Sequence, residues 1–207
     1  MFDMKDNQSQ KIILQAAEEE FLTKGFAGAR TTEIAKRAGM NHSMLHYYYS
    51  TKEELFNKVM ENKIAQLRES VSILFQDENL PVIEKVVAIT ASHFDFISSN
   101  PKIPRFIINE IIARPEYMSQ VKEILQTSIG HVIVSLQRDI DEAARDGRVC
   151  PMNASTLIMD ILSLNAFAFI AYPIIQEVNP DMDLTAFYEE RKRENLEIIR
   201  KRLTPNI

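Results

Sequence analysis

Apolar residues recur at helical spacing along almost the whole chain, and no stretch alternates with period two. Ile13, Ala17 and Phe21 mark a helix over Lys11 to Lys24, ended by Gly25. The residues before about Ser9 form a short polar arm in this pattern. Two short patterns follow between Thr31 and Tyr49. A capping box, Thr51-x-x-Glu54, opens a long helix to about Phe75, with Leu55, Phe56, Val59, Ile64, Leu67, Val71 and Leu74 inward. Further helices are predicted from Pro81 or Val82 to Ser99, from Arg105 to Ala113, and from Pro115 to Asp146. In the last of these, Val121, Leu125, Ile129, Leu136 and Ile140 share a face. Two more are predicted, from Asn153 to about Ile175 and from Leu184 to Leu203. The breaks are QDENLP, SSNPKIP, DGRVCPMN and NPDMD, rich in turn residues. The fold class is all-α.

The stretch from Thr31 to Lys52 is the most constrained. Ile34, Ala35 and Ala38 make one apolar face, and Gly39 interrupts it. Glycine takes positive φ without a Cβ clash, so it can end a helix and turn the chain sharply. Asn41 is a good N-cap for a second helix. In that helix Leu45, Tyr48 and Tyr49 share one face, and His42, Ser43, His46 and Tyr47 share the other. Two helices joined by a tight glycine turn predict a helix-turn-helix, whose second helix enters the DNA major groove.

Charge sharpens that picture. The window from Arg30 to Lys52 holds Arg30, Lys36, Arg37 and Lys52 against the single acid Glu33, on a chain of net charge −5. A basic patch on an acidic protein suits a phosphate backbone.

Three blocks carry a family resemblance. They are Phe21-x-x-x-Gly25-Phe26, then Thr31-Thr32-x-Ile34-Ala35-x-x-Ala38-Gly39-Met40, then Leu45-x-Tyr47-Tyr48-Tyr49-x-x-Lys52-Glu53-x-Leu55. Together they resemble the TetR/AcrR family of transcription regulators, over about the first quarter of the chain. The resemblance implies an N-terminal three-helix helix-turn-helix DNA-binding domain, here 1–56. A larger helical ligand-binding and dimerisation domain, here 57–207, follows it. It places DNA contacts on His42, Ser43, Met44, His46, Tyr47 and Tyr48. Thr31, Thr32 and Lys52 lie at helix starts, where backbone N–H groups and a cation favour phosphate. His46 stands where the family usually has tyrosine, and Met44 where it often has threonine.

The expected function is a ligand-responsive, homodimeric, sequence-specific transcription regulator. By resemblance it is a repressor released from a palindromic operator by a small-molecule effector. The alternative is a helical interaction module, or a small-molecule-binding protein without operator binding. Effector-contact candidates are polar or aromatic residues inside apolar runs: His93, Phe96, Phe106, Asn109, Glu110, His131, Asn165, Phe169 and Tyr172. The segment Thr156 to Ile175 is apolar on more than one face and needs partners on several sides. With the last helix it is expected to pair with a second copy.

Composition narrows the rest. Hydrophobic residues make up 45% of the 207, which supports a sizeable core. Cys150 is the only cysteine, so an intrachain disulfide and a thiolate cluster are excluded. His42 and His46 have zinc-ligand spacing, but Ser43 follows the first histidine where a metallopeptidase needs Glu. Enzyme motifs, a metal site and a cofactor are not expected. The N-terminus lacks a signal-peptide pattern, and Asp160, Asn165 and Pro173 interrupt the longest apolar run, so a cytoplasmic location is expected.

Overall fold

The computed structural model describes residues 2–76, 80–112 and 115–205, with side chains described for 6–69, 80–109, 122 and 130–205. Its described elements are all helical. They are α1 (Phe2–Gly28), α2 (Thr31–Arg37), α3 (His42–Tyr48), α4 (Lys52–Gln76), α5 (Val82–Ser99) and α6 (Ile103–Phe106). A π turn (Ile107–Ile112), α7 (Pro115–Arg145), α8 (Ala154–Val178) and α9 (Leu184–Leu203) complete the order. Of the predicted inward positions, Val71, Leu74, Val121, Leu125 and Ile129 lie outside the described side chains.

The chain divides into two compact units. The first comprises Met1–Ala65 and Phe106–Ile124, the second Gln66–Arg105 and Leu125–Ile207. The described residues from Phe106 to Ile112 thus group with the N-terminal helices, although they fall on the far side of the division at 56 expected above.

In the first unit, α1 to α4 converge on a core of Ile13, Ala17, Phe21, Ile34, Ala35, Leu45, Tyr49, Leu55, Phe56 and Val59. Ala35 is buried where α2 meets its neighbours, so a small side chain is required there. Two glycines set the chain path. Gly25 (φ 69) breaks α1, and Gly39 (φ 68) makes the turn between α2 and α3. The break at Gly25 swings Phe26 back, so its ring stacks against Phe21 and meets Phe56 edge-on, with centroids 6.1 and 5.1 Å apart. Asn41 caps α3, its side chain accepting from the Met44 N–H at 2.8 Å. Thr51 caps α4 by accepting from the Glu54 N–H at 3.0 Å.

The N-terminal arm is a correction. Residues 2–10 extend α1 as helix. They contain no Gly or Pro to break it, and their polarity alone does not unfold a helix that finds a partner. The short helix expected over Arg105 to Ala113 is instead a single α turn followed by a π turn.

In the second unit, Val82, Val86, Leu136, Ile140, Ala143, Leu157, Ile161, Ile199 and Leu203 form the main core of α5, α7, α8 and α9. Lys85 is buried in this layer and is neutralised by Asp139 at 2.6 Å. Helix α8 is long and apolar enough by composition to cross a membrane. Its polar positions are nonetheless engaged within the unit: Asp160 pairs with Arg202, and Asn165 is buried and hydrogen-bonded.

Removing the α3 cap tests the local construction. Asn41→Ala is expected to destabilise the chain by about 1 kcal/mol in urea denaturation. An unchanged midpoint would show that the cap contributes nothing.

Candidate nucleic-acid interface and buried polar network

Helix α3 turns Leu45 inward and leaves His42, Ser43, Met44, His46 and Tyr47 exposed, with Tyr47 79% accessible. A large aromatic ring so open to water has little packing role, and this makes it the most prominent contact candidate on the helix. The two histidine rings meet edge to face with centroids 4.4 Å apart. His42 Nε2 lies 2.9 Å from the Thr31 hydroxyl, which ties the start of α3 to the start of α2. The His46 Nδ1 sits 3.3 Å from the Ser50 carbonyl. A carbonyl only accepts, so Nδ1–H donates, and in the neutral ring Nε2 is left as an acceptor.

Thr31 is half-buried and Thr32 exposed, and no side chain caps α2, whose N-cap position is Arg30. Lys52 rests with its ammonium 4.7 Å from the centre of the Phe26 ring. That contact holds the cation at the first turn of α4, where the helix N-terminus adds to its pull on an anion.

Tyr48 behaves differently from its neighbours. Its ring is half-buried, and its hydroxyl donates to Asp6 at 2.8 Å. Ser9 donates to the same oxygen and favours the phenolate, but Asp6 and burial outweigh it and raise the phenol above its usual value. The hydroxyl of Tyr48 is thus engaged by α1. Asp6 and Ser9 had no signal in the sequence, because a polar arm and a docked helical extension share the same composition.

Arg37, counted above with the basic patch, is paired. Its guanidinium reaches Glu19 at 2.7 Å and Glu20 at 3.5 Å, both on α1.

The effector candidates separate into groups. His93, Asn165 and Phe169 are buried, and Phe96 and Tyr172 half-buried, in the α5, α8 and α9 region. The others fall elsewhere. Phe106 packs in the first unit, its ring 5.9 Å from Phe56. Asn109 is exposed on the π turn, and His131 is exposed on α7. The side chain of Glu110 lies outside the described residues. Phe106 is an aromatic that serves the first unit's core instead, whereas Asn109 and His131 each interrupt an apolar run. Such an interruption marks a polar site and a helix's solvent edge equally well.

His93 and Asn165 belong to a directed chain of hydrogen bonds. Arg191 only donates, so it fixes the Asn195 oxygen toward itself at 2.7 Å. The Asn195 amide nitrogen then donates to the Asn165 oxygen at 3.0 Å. At the other end the Thr90 carbonyl only accepts, so the Asn165 nitrogen faces it at 2.9 Å and also donates to His93 Nδ1 at 3.0 Å. Both amides are oriented from both ends. His93 Nδ1 must therefore be a lone pair, and the ring is neutral with its proton on Nε2. Beside this chain Phe169 stacks on Tyr188 with centroids 4.4 Å apart, and Phe94 lies 5.4 Å from Phe169. Thr90, Tyr188 and Asn195 are not among the contact candidates that the sequence offers. Nothing in a helical heptad distinguishes a buried Asn from a surface one.

Fold and surface together define a helix-turn-helix protein with a separate helical unit. Residues 13–59 match the family described as bacterial regulatory proteins, tetR family, so the helix-turn-helix unit carries that family's N-terminal domain. The HTH-type transcriptional activator FasR of Mycolicibacterium smegmatis is 26% identical over 151 residues, 72% of this chain and 68% of that protein. An HTH-type transcriptional repressor of Streptomyces coelicolor is 43% identical over 61 residues, 30% of this chain and 32% of its own. In fold, the chain is similar to the transcriptional regulator FadR from Bacillus subtilis, solved in complex with stearoyl-CoA. The TM-score is 0.71 at 18% identity, covering 93% of this chain and 98% of that one.

Burial lowers the His93 pKa from an ordinary 6.5 to about 4. The unfolded chain therefore binds the extra proton first as pH falls. The contribution of His93 is complete above about pH 6.5 and is lost toward pH 4, at up to about 1.4 kcal/mol per unit. His93→Gln is expected to lack this component of the stability-against-pH curve in urea titrations. Parallel curves for the two proteins would contradict the burial of a neutral ring.

Proposed function

We propose that this protein is a homodimeric, sequence-specific DNA-binding regulator that acts as a repressor and is released from a palindromic operator by a small-molecule effector. The observation that carries the DNA contact is the face of α3. Four hydrogen-bonding side chains and Met44 stand clear of the core on a helix whose opposite side is packed. His42, Ser43, His46 and Tyr47 supply donors and acceptors for base edges and phosphates, and Lys52, Lys36 and Arg30 supply charge. Tyr48 contributes by holding α3, since its hydroxyl is committed to α1.

The dimer reading rests on α8 and α9. Met159, Leu162, Phe167, Ile174, Val178 and Ile198 are exposed, with Phe167 at 66% and Val178 at 81%. Apolar side chains this open on two adjacent helices favour a matching copy. Two copies would present paired α3 helices to half-sites one helical turn, roughly 34–36 Å, or a multiple of it apart.

In this reading the effector site lies in the second unit, near the aromatic cluster and the Nε2–H donor of His93. A relative of this fold holds stearoyl-CoA, which supports a ligand with a long apolar portion and a hydrogen-bond acceptor. A ligand that prefers a conformation with misplaced α3 helices lowers DNA affinity by its differential binding.

Selection of bound duplexes from a random DNA library tests the first claim. A palindrome is expected with the wild type. Tyr47→Ala and Lys52→Ala should each weaken binding to it by about tenfold, with Lys52→Ala also reducing the salt slope by about 1. No enrichment at moderate salt would refute the DNA reading. Phe167→Glu is expected to shift the sedimentation species from dimer to monomer, and a wild-type monomer at micromolar concentration would refute the dimer.

A further inference from the structure

Glu20 on α1 is fully buried, at 0% accessibility, inside the helix-turn-helix unit. A buried carboxylate is costly unless cations and donors surround it. Three groups do so here. Lys24, one turn on, donates to Oε1 at 2.7 Å. The backbone N–H of Arg30, just before α2, points at the same oxygen at a long 3.4 Å. The guanidinium of Arg37, the last residue of α2, lies 3.5 Å from Oε2, an oxygen with no hydrogen bond of its own. Burial alone would raise the Glu20 pKa, but Lys24, the Arg30 N–H and Arg37 together lower it, so the group is an anion. Exposed Glu19 adds a 2.7 Å pair to the same guanidinium.

We propose that Glu20 is a positioning residue for DNA recognition: its buried carboxylate fastens the two ends of α2 to α1 and holds Arg37 as a strut in place of a phosphate contact. This rests on the DNA-binding reading above.

The physical reason is an asymmetry. An exposed ion pair such as Arg37 with Glu19 is weak by itself, and a phosphate competes with it easily. Glu20 changes the balance. If Arg37 swings away, a buried anion loses a partner it cannot replace with water, because it is not exposed. Arg37 is therefore retained by the core beneath it. Of the four cations in the Arg30 to Lys52 window, three remain for phosphates: Arg30, Lys36 and Lys52. Helix α2, only seven residues long, gains a fixed start and a fixed end, and α3 follows it through the Gly39 turn.

The experiment uses full-length wild type, Glu20→Leu, Glu20→Gln and Arg37→Gln. Each is melted, examined by hydrogen exchange, and titrated with the selected palindrome and a random duplex across a salt series. Glu20→Leu leaves Lys24 and Arg37 without their buried partner, but their side chains are 44% and 42% exposed and can turn to water, so the variant is expected to fold with a modest loss in melting. Discrimination between the two duplexes is expected to fall about tenfold, and the Arg30 amide to exchange faster. Random-duplex binding should be unchanged or tighter, as Arg37 and Lys24 join the available cations. Glu20→Gln keeps the shape and should lose part of the discrimination, which decides the matter if the leucine variant does not fold. Arg37→Gln should leave the salt slope unaltered.

Undiminished discrimination in the folded Glu20 variants would overturn the proposal. So would a fall of about 0.9 in the salt slope for Arg37→Gln, the signature of a lost phosphate contact. If the wild type itself selects no sequence, the DNA reading fails first. Unchanged Arg30 exchange in the Glu20 variants would then overturn the clamp without reference to DNA.

Discussion

Helices of seven residues do not persist in water on their own, and α2 and α3 have seven residues each. Everything on the exposed face of α3 depends on the apolar layer beneath the pair. Ile34 and Ala35 from one helix and Leu45 from the other meet Phe21 of α1 and Leu55 and Phe56 of α4. That layer is thin, so its geometry must be specified by more than hydrophobicity. Gly39 sets the turn, Asn41 and Thr51 close the helix starts, and the Phe21, Phe26 and Phe56 rings lock the entry from α1. Each device acts at a helix end, where a short helix is weakest.

Local chemistry in this unit was legible in the sequence because each device needs a particular residue type. Only glycine is comfortable at φ near 68°, and Asn and Thr are natural caps, so Gly39, Asn41 and Thr51 disclosed their roles before any contact was known. The helix limits of α5, α8 and α9 were legible for the same reason. Long-range polar partnership was not. Asp6 with Tyr48 spans 42 positions, and Asn165 with Thr90 spans 75. Neither pairing leaves a spacing signal, since a polar residue looks alike whether it faces water or a distant partner. Arg37 is the same lesson with a sign attached: it counts as charge in a sequence window, while in the fold its guanidinium is paired with Glu19 and Glu20.

The second unit combines two demands that usually oppose each other. Helix α8 buries Leu157, Ile161 and Phe169 yet leaves Met159, Phe167 and Ile174 open. A helix with apolar residues on several faces has no amphipathic pattern to set its rotation. Asn165 provides that setting. Its side chain is buried and satisfied only when it faces Thr90 and His93 on α5 and Asn195 on α9, so a rotation of α8 would strand polar groups in the core. Polar atoms thus specify the register that apolar atoms alone leave ambiguous.

The directed chain from Arg191 through Asn195 and Asn165 to His93 and Thr90 has a consequence for how this protein can vary. Each amide is oriented by the neighbours on both sides, so changing one member leaves the next facing the wrong group. A buried asparagine there cannot drift to leucine alone without orphaning its partners. A change at one of these positions is best tolerated when its partners change with it, either to other matched polar groups or to apolar side chains in concert. These side chains thus behave as one unit spread over three helices, in which the fitness of each residue is set by the others.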